Sequence, residues 1–86
     1  MPLRWTIRWE PGAQKSLDAL DGHQRERIIR AVATLSADPY AARNAKALRG
    51  GGYRLRVGDW RVVYALRNEE LLVLIVRLGH RREIYR

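Results

Sequence analysis

The chain has 86 residues, too few for a second hydrophobic core, so residues 1–86 are expected to form one domain. It contains no cysteine, which excludes disulfides, thiol catalysis and thiolate metal sites together. Lys and Arg total 17 against nine acids, a formal net charge of +8, and an excess of that size favours a polyanionic partner over a neutral one.

The kind of base narrows this further. Fifteen of the 17 are Arg, and only Lys15 and Lys46 are Lys. A guanidinium pairs bidentately with phosphate or carboxylate and keeps its proton near neutral pH. The opening Met1-Pro2-Leu3-Arg4-Trp5 has no apolar segment of signal-peptide type, and the longest apolar run, Leu71 to Val76, is too short to cross a bilayer. With no disulfides to form, a cytoplasmic location without membrane contact is expected.

In chain order, Trp5-Thr6-Ile7-Arg8-Trp9 alternates apolar with polar and is rich in β-branched and aromatic residues, the pattern of a first strand. Pro11 stands where helices commonly begin, and Ala13, Leu17 and Leu20 form one apolar stripe behind it. Asp21-Gly22 interrupts that helix. Asp21 with Gln24 three residues later has the form of a capping box for a second helix, which carries Ile28, Val32 and Leu35 on one face. Asp38-Pro39 ends it, because the residue before proline avoids the α region. Tyr40 to Gly52 reads as a polar connector closing in three glycines.

Beyond the glycines the period changes. Tyr53-Arg54-Leu55-Arg56-Val57 alternates strictly, Gly58-Asp59 suits a two-residue hairpin turn, and Trp60 to Leu66 returns as the second arm. Arg67 to Glu70 forms a second turn. Leu71 to Leu78 is apolar almost throughout, as expected of a central strand covered on both faces, and Gly79 is expected to stop it. The implied class is α+β: an N-terminal β-strand and a helical hairpin packed on an antiparallel C-terminal β-sheet, in the order β-α-α-β-β-β. The helices cover one face and leave the other free to carry charge.

Arg54 and Arg56, two apart, project from one face of their strand, and Arg61 opens the returning arm close to Arg56. Arg77, His80, Arg81, Arg82 and Tyr85 follow. Such a cluster could grip a phosphate, offset charge developing on it, and stack on bases. Spacing alone fits a plain solvated face about as well. Arg4, Arg8, Arg25, Arg27, Arg30, Arg43 and Arg49 read as solvated or partner-facing. Two histidines without cysteine disfavour a zinc site, the three glycines lack the Lys-Ser/Thr of a phosphate-binding loop, and there is no Gly-x-Ser-x-Gly.

Leu48-Arg49-Gly50, Tyr53 to Tyr64 (Y-R-L-R-V-G-D-W-R-V-V-Y) and Gly79-His80-Arg81-Arg82-Glu83-Ile84-Tyr85 together resemble the RelE branch of the RelE/ParE toxin superfamily, and the likeness extends over essentially the whole chain. The resemblance implies a microbial-ribonuclease-like sheet on a helical hairpin. It also implies a toxin that cleaves mRNA in the ribosomal A site through the RNA's own 2′-hydroxyl, without cofactor or metal, and that is neutralised by a cognate RelB-like antitoxin, acidic and partly disordered, in a hetero-oligomer. Carried over by position, Arg54 and Arg56 stand at the family's basic strand pair, often Lys. Arg61 stands at the phosphate-binding arginine, Arg81 at the arginine near the leaving group, and Tyr85 at the base-stacking aromatic. His80 occupies a place where relatives carry His or Lys. Because Arg54 and Arg56 cannot serve as proton acceptors, proton transfer is expected to fall to His80, or else to Glu83, Asp59 or a group of the ribosome or RNA. The alternatives are a ParE-like toxin that poisons DNA gyrase and a catalytically inactive module that binds nucleic acid or antitoxin.

Overall fold

A computed structural model of the chain describes residues 4–40 and 42–84. The first strand, β1 (Thr6–Trp9), leads into α1 (Pro11–Asp18), which opens with proline in its first turn and buries Ala13 and Leu17. In α2 (Gly22–Ala33) the Asp21 carboxylate accepts from the Gln24 backbone N–H at 3.0 Å, satisfying one of the helix's orphan donors as its spacing implied. Ile28 and Val32 are buried along α2, and a 3-10 turn over Thr34–Ser36 carries the same stripe on to Leu35.

The sheet has five strands in the order β1-β5-β4-β3-β2, where β2 is Ala45–Ala47, β3 Tyr53–Val57, β4 Trp60–Arg67 and β5 Leu72–His80. Three features differ from the sequence-based expectation. β1 joins the sheet parallel to β5, from Thr6 beside Leu72 to Trp9 beside Ile75, so the sheet is mixed. The connector before the glycines contains β2, an edge strand antiparallel to β3; its Ala-Lys-Ala sequence carries no β-branched or aromatic signal. Gly79 does not end β5 but pairs with Arg61, and the chain turns into the short helix α3 (Arg81–Ile84) only after His80.

Interior β5 carries a bulge. Val63 pairs with Arg77 but Tyr64 pairs with Ile75, so Val76 is the extra residue, and the parity of inward and outward side chains switches there. With that switch, Val73, Ile75 and Leu78 all reach the helix-facing core. They meet Leu55, Val57, Val62 and Tyr64 from the hairpin and Ala13, Leu17, Ile28, Val32 and Leu35 from the helical side. Among the described residues no helix is long and apolar enough to cross a membrane.

Tyr64 anchors this core. It is fully buried, its hydroxyl donates to the Pro39 carbonyl at 2.7 Å, and its ring stacks on Tyr53 with centroids 5.5 Å apart. Burial first, and then the nearby Tyr53 and Asp38, push its phenol from 10.0 up to about 12. The folded state thus holds this proton more tightly than the unfolded chain. The stability gained is complete below the unfolded value and disappears as pH climbs through the folded one, between about 10 and about 12. Tyr64→Phe should cost about 1–2 kcal/mol at neutral pH, because the Pro39 carbonyl loses its donor. The difference in unfolding free energy between wild type and variant should fall by about 1.4 kcal/mol per pH unit across that alkaline window, closing and then changing sign within it. A gap independent of pH would contradict this placement of the phenol.

Candidate nucleic-acid interface

Strand register sets the free face of the sheet. One cross-strand row runs Lys46 on β2, Arg54 on β3, Val63 on β4 and Arg77 on β5, and the next runs Arg56, Arg61, Gly79. Leu55, Val57 and Val62 alternate with them into the core, which leaves the basic residues on the side away from the helices. Around β2–β4 this face dips into an open groove of about 570 Å³ lined by Lys46, Ala47, Leu48, Arg49, Arg54, Arg56 and Arg61. A second hollow, about 370 Å³ along Arg67–Glu70, follows a turn of mixed charge and gathers no comparable chemistry.

The charge of the groove is uncompensated. Among the described residues that line it there is no carboxylate. The hydrogen bonds that orient its arginines go to neutral oxygens: Arg61 Nη1 donates to the Gly58 and Trp60 carbonyls at 2.9 and 3.1 Å, and Arg56 Nη2 reaches Asn44 Oδ1 at 3.4 Å. These contacts hold the forks without neutralising them. Gly79, beside Arg61 on β5, places no side chain on that row. Cations held close together beside a partly apolar floor attract an anion more strongly than the same charges free in solvent.

Arg81 lies at the hairpin-turn end of the sheet. Its backbone N–H donates to the Asp59 carbonyl at 2.8 Å, and its Nε lies 3.8 Å from Asp59 Oδ1 in an exposed pair worth little by itself. The structure therefore brings Arg54, Arg56 and Arg61 together, with Arg81 near the same end. It does not bring His80 to them. His80 pairs with Trp60, in the row that includes buried Val57, and its ring meets the Trp60 ring edge-on at 5.6 Å on the helix-facing side. His80 Nδ1 accepts from the Arg82 N–H at 3.3 Å, which assigns the proton of the neutral ring to Nε2 and makes His80 a cap on the turn carrying Arg81. Tyr85 lies outside the described residues.

Two basic residues gain a place here that alternation did not suggest. Lys46 and Arg49 line the groove; the Leu48-Arg49-Gly50 motif was a signal for Arg49, whereas Lys46 depends on β2 pairing with β3. Arg27 reaches from α2 to the hairpin turn, where its guanidinium lies 3.0 Å from the position a Cβ on Gly58 would take. Gly58 also has φ +60, a left-handed conformation suited to the first position of a tight hairpin turn. Gly58→Ala should destabilise the fold by about 1–2 kcal/mol from the backbone conformation, plus displacement of Arg27. Pairing it with Arg27→Ala should recover only the displacement, a difference readable by chemical denaturation.

Residues 7–85 match the family model described as the ParE toxin of the type II toxin-antitoxin system parDE. The chain is 31% identical over 88 residues to toxin RelG of Mycobacterium tuberculosis, covering 98% of this chain and 99% of that protein. This chain is a toxin of the RelE/ParE family. The toxin's fold is similar to that in the RelBE2 toxin–antitoxin complex of M. tuberculosis, with TM-score 0.81, 26% identity and coverage of 96% and 98% of the two chains. It also resembles the RelE–RelB complex of Pyrococcus horikoshii in fold, with TM-score 0.76, 21% identity and coverage of 96% and 99%. The α+β class read from the sequence is thus that of this toxin family.

Proposed function

We propose that this toxin is an endoribonuclease that cleaves mRNA in the ribosomal A site, using the RNA's 2′-hydroxyl as nucleophile and needing no metal. The observation that carries the reading is the groove: four guanidiniums and one amine, with no lining carboxylate among the described residues, on the face that the helices leave open. Single-stranded RNA suits such a surface, because its phosphates meet the forks and its unpaired bases can stack on guanidinium planes. As the phosphate passes through its transition state, charge builds on the non-bridging oxygens, and donors already in place stabilise it without reorganising.

In this reading Arg61 holds the scissile phosphate, Arg54 and Arg56 offset its charge, Arg81 attends the leaving oxygen and Tyr85 stacks on a base. His80 acts by capping the turn that presents Arg81, because it lies on the helix-facing side. The partner is a cognate RelB-like antitoxin whose acidic, partly disordered chain covers the basic face and forms a hetero-oligomer. That assembly is supported by the RelBE2 complex, whose toxin shares this fold.

The parDE description of the matching family model favours the ParE-like alternative as a second reading, and in that reading the toxin poisons DNA gyrase. Purified toxin added to ribosomes programmed with a short mRNA separates the two. Cleavage at the A-site codon that leaves a 2′,3′-cyclic phosphate supports the ribonuclease, and uncut mRNA under those conditions excludes it.

A further inference from the structure

Every guanidinium in the groove can hold charge, but none can take a proton from a hydroxyl near neutral pH, so Arg49, Arg54, Arg56 and Arg61 leave the chemical step incomplete. The titratable groups nearest in sequence do not supply it. Asp59 stands at the hairpin tip facing Arg81, His80 lies on the helix side of the sheet, Glu83 sits on α3, and none of the three lines the groove. Lys46 does line it.

The local structure fixes the backbone that carries that amine. Asn44 adopts a left-handed φ of 69, which turns the chain onto the edge of β3, and its carbonyl accepts from the Arg56 N–H at 3.0 Å. Ala45, half-buried, packs toward the core, and Lys46 emerges on the opposite side as the direct partner of Arg54. Leu48 N–H closes the strand on Gly52 O at 2.9 Å. Paired residues on one sheet face stand about 5 Å apart at Cβ. The exposed, flexible lysine stem can therefore reach a ribose beside a phosphate that Arg54 and Arg61 grip.

We propose that Lys46, as the neutral amine, accepts the proton of the attacking 2′-hydroxyl; this rests on the ribonuclease reading above. The 2′-oxygen forms its bond to the adjacent phosphorus, the bond from phosphorus to the 5′-oxygen breaks, and a 2′,3′-cyclic phosphate results. The 5′-oxygen leaves with a proton from solvent, and the Lys46 ammonium returns its own to solvent, so the amine is regenerated. The charged groups facing Lys46 are Arg54 and Arg56 from β3, Arg61 from β4 and Arg49 from the following loop, with no carboxylate lining the groove among the described residues.

Lys46→Arg is the decisive variant, because it keeps the positive charge and removes the ability to accept a proton. Single-turnover cleavage on programmed ribosomes should climb about tenfold per pH unit for wild type wherever the ammonium predominates. Lys46→Arg should lose that climb and fall roughly 100-fold or more, yet bind a 2′-O-methyl mRNA within about twofold of wild type. Lys46→Ala should lose the climb as well. A Lys46→Arg toxin that cleaves at the wild-type rate with the wild-type pH slope overturns the assignment, as does a loss confined to binding. Should Arg61→Ala also cleave like wild type, the groove is not the nuclease site at all, a failure of the underlying reading that this comparison separates from failure of Lys46 alone.

Discussion

Arg61→Ala should slow single-turnover mRNA cleavage by about 100- to 1000-fold, equivalent to about 3–4 kcal/mol of transition-state stabilisation, with little change in thermal midpoint. Arg61 is half-buried, and its Nη1 is spent on two backbone carbonyls of the hairpin turn, which aims the rest of the fork toward the groove. The guanidinium thus arrives pre-oriented and loses little freedom when a phosphate binds. Arg61→Lys keeps the charge but not the fork or its anchoring, so it should restore only part of the rate. The contrast matters because a merely solvated arginine would tolerate either change. Equal cleavage by wild type and Arg61→Ala would mean that the turn holds Arg61 for some other purpose.

The largest loss of stability is expected at the opposite face of the same strand. Tyr64→Ala removes a fully buried ring that stacks on Tyr53 and ties Pro39 to the sheet, and it should cost about 3–5 kcal/mol. Folded domains of this size are stable by only roughly 4–13 kcal/mol, so a large part of the margin goes with one side chain. The Pro39 residue itself is fully buried, and its carbonyl is left without the phenol donor, which adds to the cavity cost. Urea denaturation should show a lower midpoint at unchanged slope. A loss under about 1 kcal/mol would mean that the contacts at Tyr64 relax away, and that the core is organised chiefly by Ile28, Leu35 and Ile75.

Most of the fold was legible where one period runs unbroken. Tyr53–Val57 alternates without exception, and Leu55 and Val57 are buried while Arg56 is exposed. The stripe Ile28, Val32, Leu35 and the Asp21 cap are equally local signals. What stayed hidden depends on pairing across distance. β2 has only three residues of weak strand preference and exists because it adds to the edge of β3. The bulge at Val76 reverses the parity of β5, so counting alternate residues along Leu71 to Leu78 assigns faces wrongly on one side of it.

The candidate site divides in the same way. Arg54, Arg56 and Arg61 follow from strand alternation and a two-residue turn, and the structure places them together. Lys46 comes from the register of β2 on β3, which no local spacing encodes. His80 shows the reverse problem. Its chemistry drew attention to it in the sequence, but the pairing with Trp60 puts it on the other side of the sheet. Residue type suggested a proton carrier, whereas position makes it a cap.

Primer extension on cellular mRNA after induction tests most directly whether the uncompensated basic groove acts on RNA. Wild-type toxin should produce cuts at codon positions confined to translated frames, chromosomal DNA should stay intact, and the Arg61→Ala toxin should produce neither cuts nor growth arrest. Intact mRNA together with broken DNA in the arrested cells would contradict this and favour the gyrase-poisoning alternative.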